Sequence, residues 1–375
     1  MLLNKHSGKG SWNMKLHLIF IGNKFVYNKT LKEYIIRNIE QDVDFIDSIT
    51  FFKESDNSLF LYLEKELNST DKILIVTGKQ HFSTVGKVIC TVTRDNQVLK
   101  EGMLIPQKAT LFEERSYLLQ YNGALVNIMS IDENEKLPEI LLRVTITKAT
   151  IHVFNETRED LISILNPVAQ TFEVNFNVTT YVEGWLRIDI TSKKYGDISN
   201  FIHSAKKLLP KKLIASSNII EYIIETLAEQ GKKITFAESC TGGLLAYYFT
   251  KHNGASKILD GSLVTYSNAL KENWLAVEHT ILESMGAVSA EVVEEMSEGA
   301  LNVSEADYAL SISGIAGDTG GTELKPVGTV YIGARSKDKH IERHLHFEGD
   351  RNYVQHQSAL MAIKMLLLLD RENFF

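Results

Sequence analysis

The sequence predicts an α/β protein of three domains, on three observations. Apolar strand-like runs alternate with helical runs at both ends of the chain, the pattern of a mostly parallel sheet with helices packed on it. Between residues 143 and 212 the pattern becomes alternating strands around two helices, a small α+β module. The chain has 375 residues, more than one ordinary domain holds, and its 44% hydrophobic and 23% charged residues describe a globular protein. The expected division is a flexible extension over 1–13, an α/β domain over 14–142, the module over 143–212 and a second α/β domain over 213–375.

In the first domain, residues 15–21 read as a buried strand that Gly22 and Asn23 break. Residues 31–39 form a helix with Ile35, Ile36 and Ile39 on one face. Strands are expected at 43–51 and 72–76, a helix at 59–67 between them, and Thr77-Gly78 after the third strand. Past Gly86 the periodicity fades; 124–130 reads as a strand and 137–142 as the start of a helix. Ligands of parallel sheets bind beyond the carboxyl ends of the strands, so Gly22 and Gly78 belong to that edge. In the module, 144–154, 172–178 and 185–190 alternate, while 158–165 and 197–209 are helical. Lys206, Lys207, Lys211 and Lys212 give it a basic end. Solvated surface is the plain reading of such a run, and nucleic-acid contact the sharper one.

The second α/β domain opens on a helix with Ile219, Ile220, Ile223, Ile224 and Leu227 on one face, capped by Asn218 with Glu221 and ended by Gly231. Residues 233–237 alternate as a half-buried strand. They lead into Glu238-Ser-Cys-Thr-Gly-Gly243 and a helix from Leu244. A strand at 261–266, a helix capped by Ser267-Asn268, a helix at 290–303 capped by Ser289 and a strand at 308–313 follow. After the glycine-rich loop 314–321 come strands at 329–334 and 340–347 and a last helix at 352–369.

Composition removes several function classes. A net charge of −7 and a pI near 5.9 argue against a dedicated nucleic-acid binder. The only cysteines are Cys90 and Cys240, far apart, which excludes a disulfide framework and fits a reducing cytoplasm. No Cys/His cluster has zinc-ligand spacing, so neither a metal site nor a cofactor is expected. Residues 1–13 lack the apolar core of a signal peptide, and the apolar run 365–369 is far too short to span a membrane.

Three features of the last domain follow strands and therefore line one sheet edge. The first is Ser239 with Thr241 and Gly242, the second is Tyr266-Ser-Asn268 with Lys271, and the third is the loop holding Gly314, Gly317, Gly320 and Gly321. Arg351 supplies a fourth wall. A serine hydroxyl needs a base, and no histidine offers one at a suitable place. A lysine whose pKa burial lowers can serve, and Lys271 sits in the first turn of a helix, whose positive end favours the neutral amine. Tyr266 would position that amine, and N–H groups after Ser239 at a helix start would hold an oxyanion. Taken singly, Lys271 is better read as a surface lysine and Tyr266 as a core residue with its hydroxyl at the rim. The glycine loop suits a phosphate, since consecutive N–H groups can face an anion, but it matches neither a P-loop nor a dinucleotide fingerprint. Together the parts suit acyl transfer on a phosphorylated small molecule that carries an amide.

Five motifs in order resemble the CinA family: Ala237-Glu-Ser-Cys-Thr-Gly-Gly243; Thr265-Tyr-Ser-Asn268 with Lys271; Gly286-Ala-Val-Ser289; Ser313-Gly-Ile-Ala-Gly317 with Gly320-Gly321 and Lys325-Pro-Val-Gly328; and Gly349-Asp-Arg351. The resemblance implies a nicotinamide-nucleotide amidase of pyridine-nucleotide recycling, acting on nicotinamide mononucleotide. Ser239 is the implied nucleophile, Tyr266 and Lys271 its partners, and a cytoplasmic homodimer the implied assembly. It also implies that the first domain is similar to molybdopterin-binding proteins. That domain departs from the family pattern. Gly22-Asn23-Lys24 stands where the family has Gly-Thr-Glu, and Val85 and Gly86 align with a pair of aspartates. Some members are credited with metal-dependent ADP-ribose pyrophosphatase activity there. Without those carboxylates a hard cation lacks its oxygen ligands, so this activity is expected to be lost. Asp318 replaces a usual proline and Gln355 a usual arginine, changes expected to loosen the loop and to weaken phosphate binding or assembly. The competing expectation is a non-catalytic scaffold or binding protein in competence or DNA recombination, touching nucleic acid or recombination proteins.

Overall fold

The computed structural model describes residues 16–43, 46–54, 56–142, 148–192 and 196–375; the expected extension over 1–13 and the start of the first strand lie outside them. The chain forms two compact units, over residues 1–146 and 147–375.

The first unit begins with β1 (Leu16–Ile21), α1 (Asn23–Tyr27), α2 (Lys29–Asp42), β2 (Ile46–Phe52), α3 (Leu59–Glu66), β3 (Lys72–Thr77) and α4 (Lys79–Thr93). A hairpin of β4 (Gln97–Lys100) and β5 (Met103–Pro106), then β6 (Leu111–Glu113), β7 (Ser116–Tyr121) and β8 (Ala124–Ser130), complete it. The sheet order is β2-β1-β3-β8-β7-β6, parallel through β8 and antiparallel beyond. Strands β1 and β3 are apolar on both faces because helices cover both. Ile19, Ile21, Ile73 and Ile75 pack with Leu63 and Ile89, while Leu18, Phe20, Leu74 and Val76 pack with Ile35 and Ile39.

One expectation fails in this unit. Residues 137–142 are not helical. Pro138 disfavours a helical residue before it, and the Leu141 N–H donates to Asn127 Oδ1 at 2.8 Å. Gly86, past which the sequence periodicity fades, does not end its helix. It lies inside α4, where a Cβ would come within 3.2 Å of the Tyr117 hydroxyl. At the carboxyl edge, Lys24 donates to the Ile131 carbonyl (2.8 Å) and pairs with Asp132 beside Gly78. An ammonium group stands there, and Val85 is buried in α4.

The second unit holds two sheets. Strands β9 (Lys148–Phe154), β10 (Val174–Val182), β11 (Trp185–Ser192) and β12 (Leu213–Ile214) form an antiparallel sheet in the order β10-β11-β9-β12. Helices α5 (Arg158–Thr171) and α6 (Ile198–Leu208) cover one face through Leu161, Leu165 and Phe201. Of its lysines, Lys211 pairs with Glu372 and Lys212 with Glu156, so half of the basic run is neutralised.

The other sheet orders its strands β14-β13-β15-β16-β17. In chain order its elements are α7 (Ile219–Glu229), β13 (Ile234–Glu238), α8 (Leu244–Thr250), β14 (Ser262–Val264), α9 (Asn268–Leu275), α10 (His279–Met285) and α11 (Ala290–Ser304). Then come β15 (Tyr308–Gly314), β16 (Thr329–Ser336), β17 (His340–His346), α12 (Arg351–Leu369) and α13 (Arg371–Phe374). Strands β14, β13 and β15 are parallel; β16 and β17 add in antiparallel fashion. Strand β13 is buried throughout, not on one face only, because β14 and β15 flank it and helices cover both sides. On one side Val292 and Met296 meet Ala237 and Ala309; on the other Ile223, Leu245, Phe249 and Leu366 meet Phe236 and Leu310. Helix α12 also touches the first sheet of this unit: Gln357 Nε2 donates to the Tyr181 carbonyl (3.2 Å) and Lys364 Nζ to that of Glu183 (2.6 Å).

Candidate active site

The carboxyl ends of the parallel strands β13, β14 and β15 lead directly into the Ser239 turn, the Tyr266 segment and the glycine loop. Ser239 stays in register with its neighbour strand, its N–H donating to the Ile312 carbonyl at 2.9 Å. The Thr265 N–H donates to the Glu238 carbonyl at 2.8 Å and so draws the end of β14 against the same turn. Ser267 caps α9 by accepting from the Leu270 N–H (3.3 Å), which sets Lys271 in its first turn.

Lys271 points inward and is 1% exposed. Its Nζ lies 3.0 Å from Ser239 Oγ and donates to the Thr265 carbonyl at 2.7 Å. Burial pulls its pKa down to about 8, with the nearby Cys240 thiol opposing the shift slightly. The amine is thus within reach of its neutral form, while the Thr265 carbonyl orients it by taking one N–H. Cys240 is buried as well, and burial pushes its thiol up to about 12, so it is no thiolate at neutral pH.

Several expected residues sit differently. The start of α8 is no open anion site: Glu238 faces it, and its carboxylate accepts from the N–H groups of Gly243, Leu245 and Ala246. The N–H groups of Cys240 and Thr241 donate to no backbone carbonyl among the described residues, and that of Cys240 lies against its own thiol. Tyr266 is 62% exposed and makes no hydrogen bond to Lys271; the Thr265 carbonyl holds the amine instead. Asn268 is exposed at the rim. Gly242, at φ +60°, makes the turn possible. Two hydroxyls that border the Ser–Lys pair, Thr241 Oγ1 and Thr265 Oγ1, are buried with no partner among the described residues. Polar groups in that state call for a bound water or substrate.

The glycine loop is anchored where the Ile315 N–H donates to Thr329 and the Gly328 N–H to Ile315 (2.9 and 2.7 Å). Its glycines divide by role. Gly314 packs against β16, where a Cβ would lie 2.8 Å from Val330, and Gly321 packs on Val327 in the same way. Gly320 takes φ +92°. Gly317 faces the Arg351 guanidinium, which a Cβ would approach to 2.5 Å. Arg351, the first residue of α12, therefore reaches the loop. Gln355, one turn later, donates to the Cys240 carbonyl at 2.7 Å. The sequence alone assigns Gln355 no such tie, because nothing in it shows α12 crossing the Ser239 turn. Lys325 donates to the carbonyls of Met285 and Val288 (2.7 Å each) and so braces the Gly286 turn. No histidine hydrogen-bonds Ser239 or Lys271 among the described residues. Away from this edge, ligand atoms of Glu294, His340 and Glu342 converge within 4.8 Å, with Arg335 already 3.4 Å from Glu294.

Residues 216–369 match the CinA C-terminal domain family. A CinA-like protein of Thermosipho melanesiensis is 43% identical over 168 residues, which is 43% of this chain and 41% of that protein. A CinA-like protein of Petrotoga mobilis is 28% identical over 306 residues, covering 79% of this chain and 75% of its own length. Among solved structures, the competence/damage inducible protein CihA from Agrobacterium tumefaciens is similar at 33% identity and a TM-score of 0.40, over 40% of this chain and 93% of that one. The chain thus spans less than half the length of the Thermosipho relative.

Proposed function

Because the chain belongs to the CinA family through its C-terminal domain, we propose that this domain is an amidohydrolase converting nicotinamide mononucleotide to nicotinic acid mononucleotide and ammonia. One observation carries the reading: a buried lysine amine, its pKa drawn to about 8, lies 3.0 Å from a serine hydroxyl. Neutral Lys271 takes the Ser239 proton as Oγ bonds to the carboxamide carbon. The oxyanion so formed meets the N–H groups of Cys240 and Thr241. Lys271 then passes the proton to the amide nitrogen, the C–N bond breaks and ammonia leaves. Water enters by the same route, giving its proton to Lys271 as its oxygen bonds to the acyl carbon; the C–Oγ bond then breaks, Lys271 returns the proton to Ser239 Oγ, and the acid leaves.

Arg351 and the N–H groups of the loop around Gly317 and Gly320 suit the phosphate. Tyr266, exposed at the rim, offers its ring face to the substrate. No step draws on a metal or a redox cofactor. Cys90 and Cys240 are buried free thiols, which fits a cytoplasmic setting. A DNA-linked scaffold draws no support from the basic stretch, half of which is paired.

Ser239→Ala and Lys271→Ala should each lower ammonia release from nicotinamide mononucleotide by about 1000-fold or more while the circular dichroism spectrum is unchanged. Near-wild-type turnover by both variants would refute the mechanism.

A further inference from the structure

Glu238 ends β13 one residue before Ser239 and is fully buried. One carboxylate oxygen accepts from the N–H groups of Gly243 and Leu245 at 3.0 Å each. The other accepts from the Ala246 N–H at 2.9 Å, with Ser262 Oγ at 3.4 Å. Among the described residues Glu238 forms no ion pair with a lysine, arginine or histidine. A buried carboxylate with no cation is costly to keep unless several N–H donors surround it. Here the donors all belong to the start of α8, on the far side of the turn. The side chain therefore fastens the strand end to the helix start, and residues 239–243 are held between two fixed points. Gln355 fixes the same turn from α12 through the Cys240 carbonyl.

We propose that Glu238 is the positioning residue of this site: its carboxylate, bridging from β13 to α8, holds Ser239 Oγ at Lys271 and aims the Cys240 and Thr241 N–H groups at the oxyanion. It also occupies the positive end of α8, so the substrate's phosphate is left to Arg351 and the glycine loop. This deepens the amidase reading and rests on it for the substrate. The reactivity of Ser239, however, can be read without that substrate.

The test uses the full chain with Glu238→Ala and Glu238→Gln, each checked for folding by circular dichroism and thermal melting. Two rates are measured: ammonia release from nicotinamide mononucleotide, and covalent labelling of Ser239 by a fluorophosphonate. Glu238→Ala should lower kcat about 100-fold, leave KM within about twofold, and slow labelling in parallel. Added formate, which fits the vacated group of three N–H donors, should restore part of both rates in Glu238→Ala and have no effect on wild type. Glu238→Gln, whose single carbonyl oxygen serves only part of the donors, should fall between, and it decides the matter should Glu238→Ala not fold. Wild-type labelling by a folded Glu238→Ala, or by Glu238→Gln alone if only that variant folds, overturns the proposal. So does a loss that formate leaves unmoved. Wild-type protein that labels but releases no ammonia sinks the substrate reading alone, and the labelling arm still decides Glu238. Wild-type protein that does neither overturns both.

Discussion

On the proposed mechanism, Lys271 sets function against stability at one residue. Its amine is enclosed with one carbonyl and one hydroxyl for partners, and among the described residues no carboxylate pairs with it. Its folded pKa, about 8, lies below the ordinary 10.5. At neutral pH the folded state must hold a charge that burial disfavours, and that cost disappears only as pH rises from 8 toward 10.5. Two outcomes follow. The rate kcat/KM should rise with pH through about 8 and level off above it, since only the neutral amine can accept the serine proton. Replacing Lys271 with Met should abolish ammonia release yet raise the melting temperature by several degrees, on the order of 1–3 kcal/mol. A rate independent of pH between 6 and 10, or a variant less stable than wild type, would contradict this account. The residue types were legible in the sequence, because a serine without a histidine points to a lysine. The partner of the lysine was not. Tyr266 was the residue expected there, but a backbone carbonyl carries no residue-type signal, and the carbonyl of Thr265 fills that role.

At the scale of elements, the site depends on helix starts meeting strand ends. The glycine loop was legible as flexible backbone near an anion, yet its glycines do different things. Gly314 and Gly321 make room for β16 and Val327, while Gly317 makes room for the Arg351 side chain. Only the second kind bears on the proposed phosphate site. Gly317→Ala should push the guanidinium aside and raise KM for nicotinamide mononucleotide about tenfold, with less effect on the unphosphorylated riboside. Equal changes for both substrates would detach Arg351 from the phosphate. Sequence periodicity placed the strands and capped helices of this domain because Ser267, Ser289 and Asn218 do cap them. It lost 279–285, too short a helix to show a period, and it misread 137–142, where Pro138 outweighs the apolar spacing.

For the whole molecule, the two units present different side chains at their sheet edges. In the first unit β1 and β3 end at the same edge of a parallel sheet. Lys24 and Asp132 face each other there, and the positions aligned with aspartates lie within a packed helix. The full chain should therefore show no hydrolysis of ADP-ribose with magnesium or manganese; measurable turnover would restore a catalytic role to that edge. In the second unit α12 runs from Arg351 and Gln355 at the site to Gln357 and Lys364 on the hairpin between β10 and β11. Its other contacts include the Phe154 and Trp185 cluster. Removing that small sheet would bare an apolar helix face and release the far end of the rod that carries the arginine. Gentle proteolysis should accordingly leave 147–375 in one piece, and a shortened version trimmed to the catalytic sheet would need new surface residues on α12 to stay monodisperse.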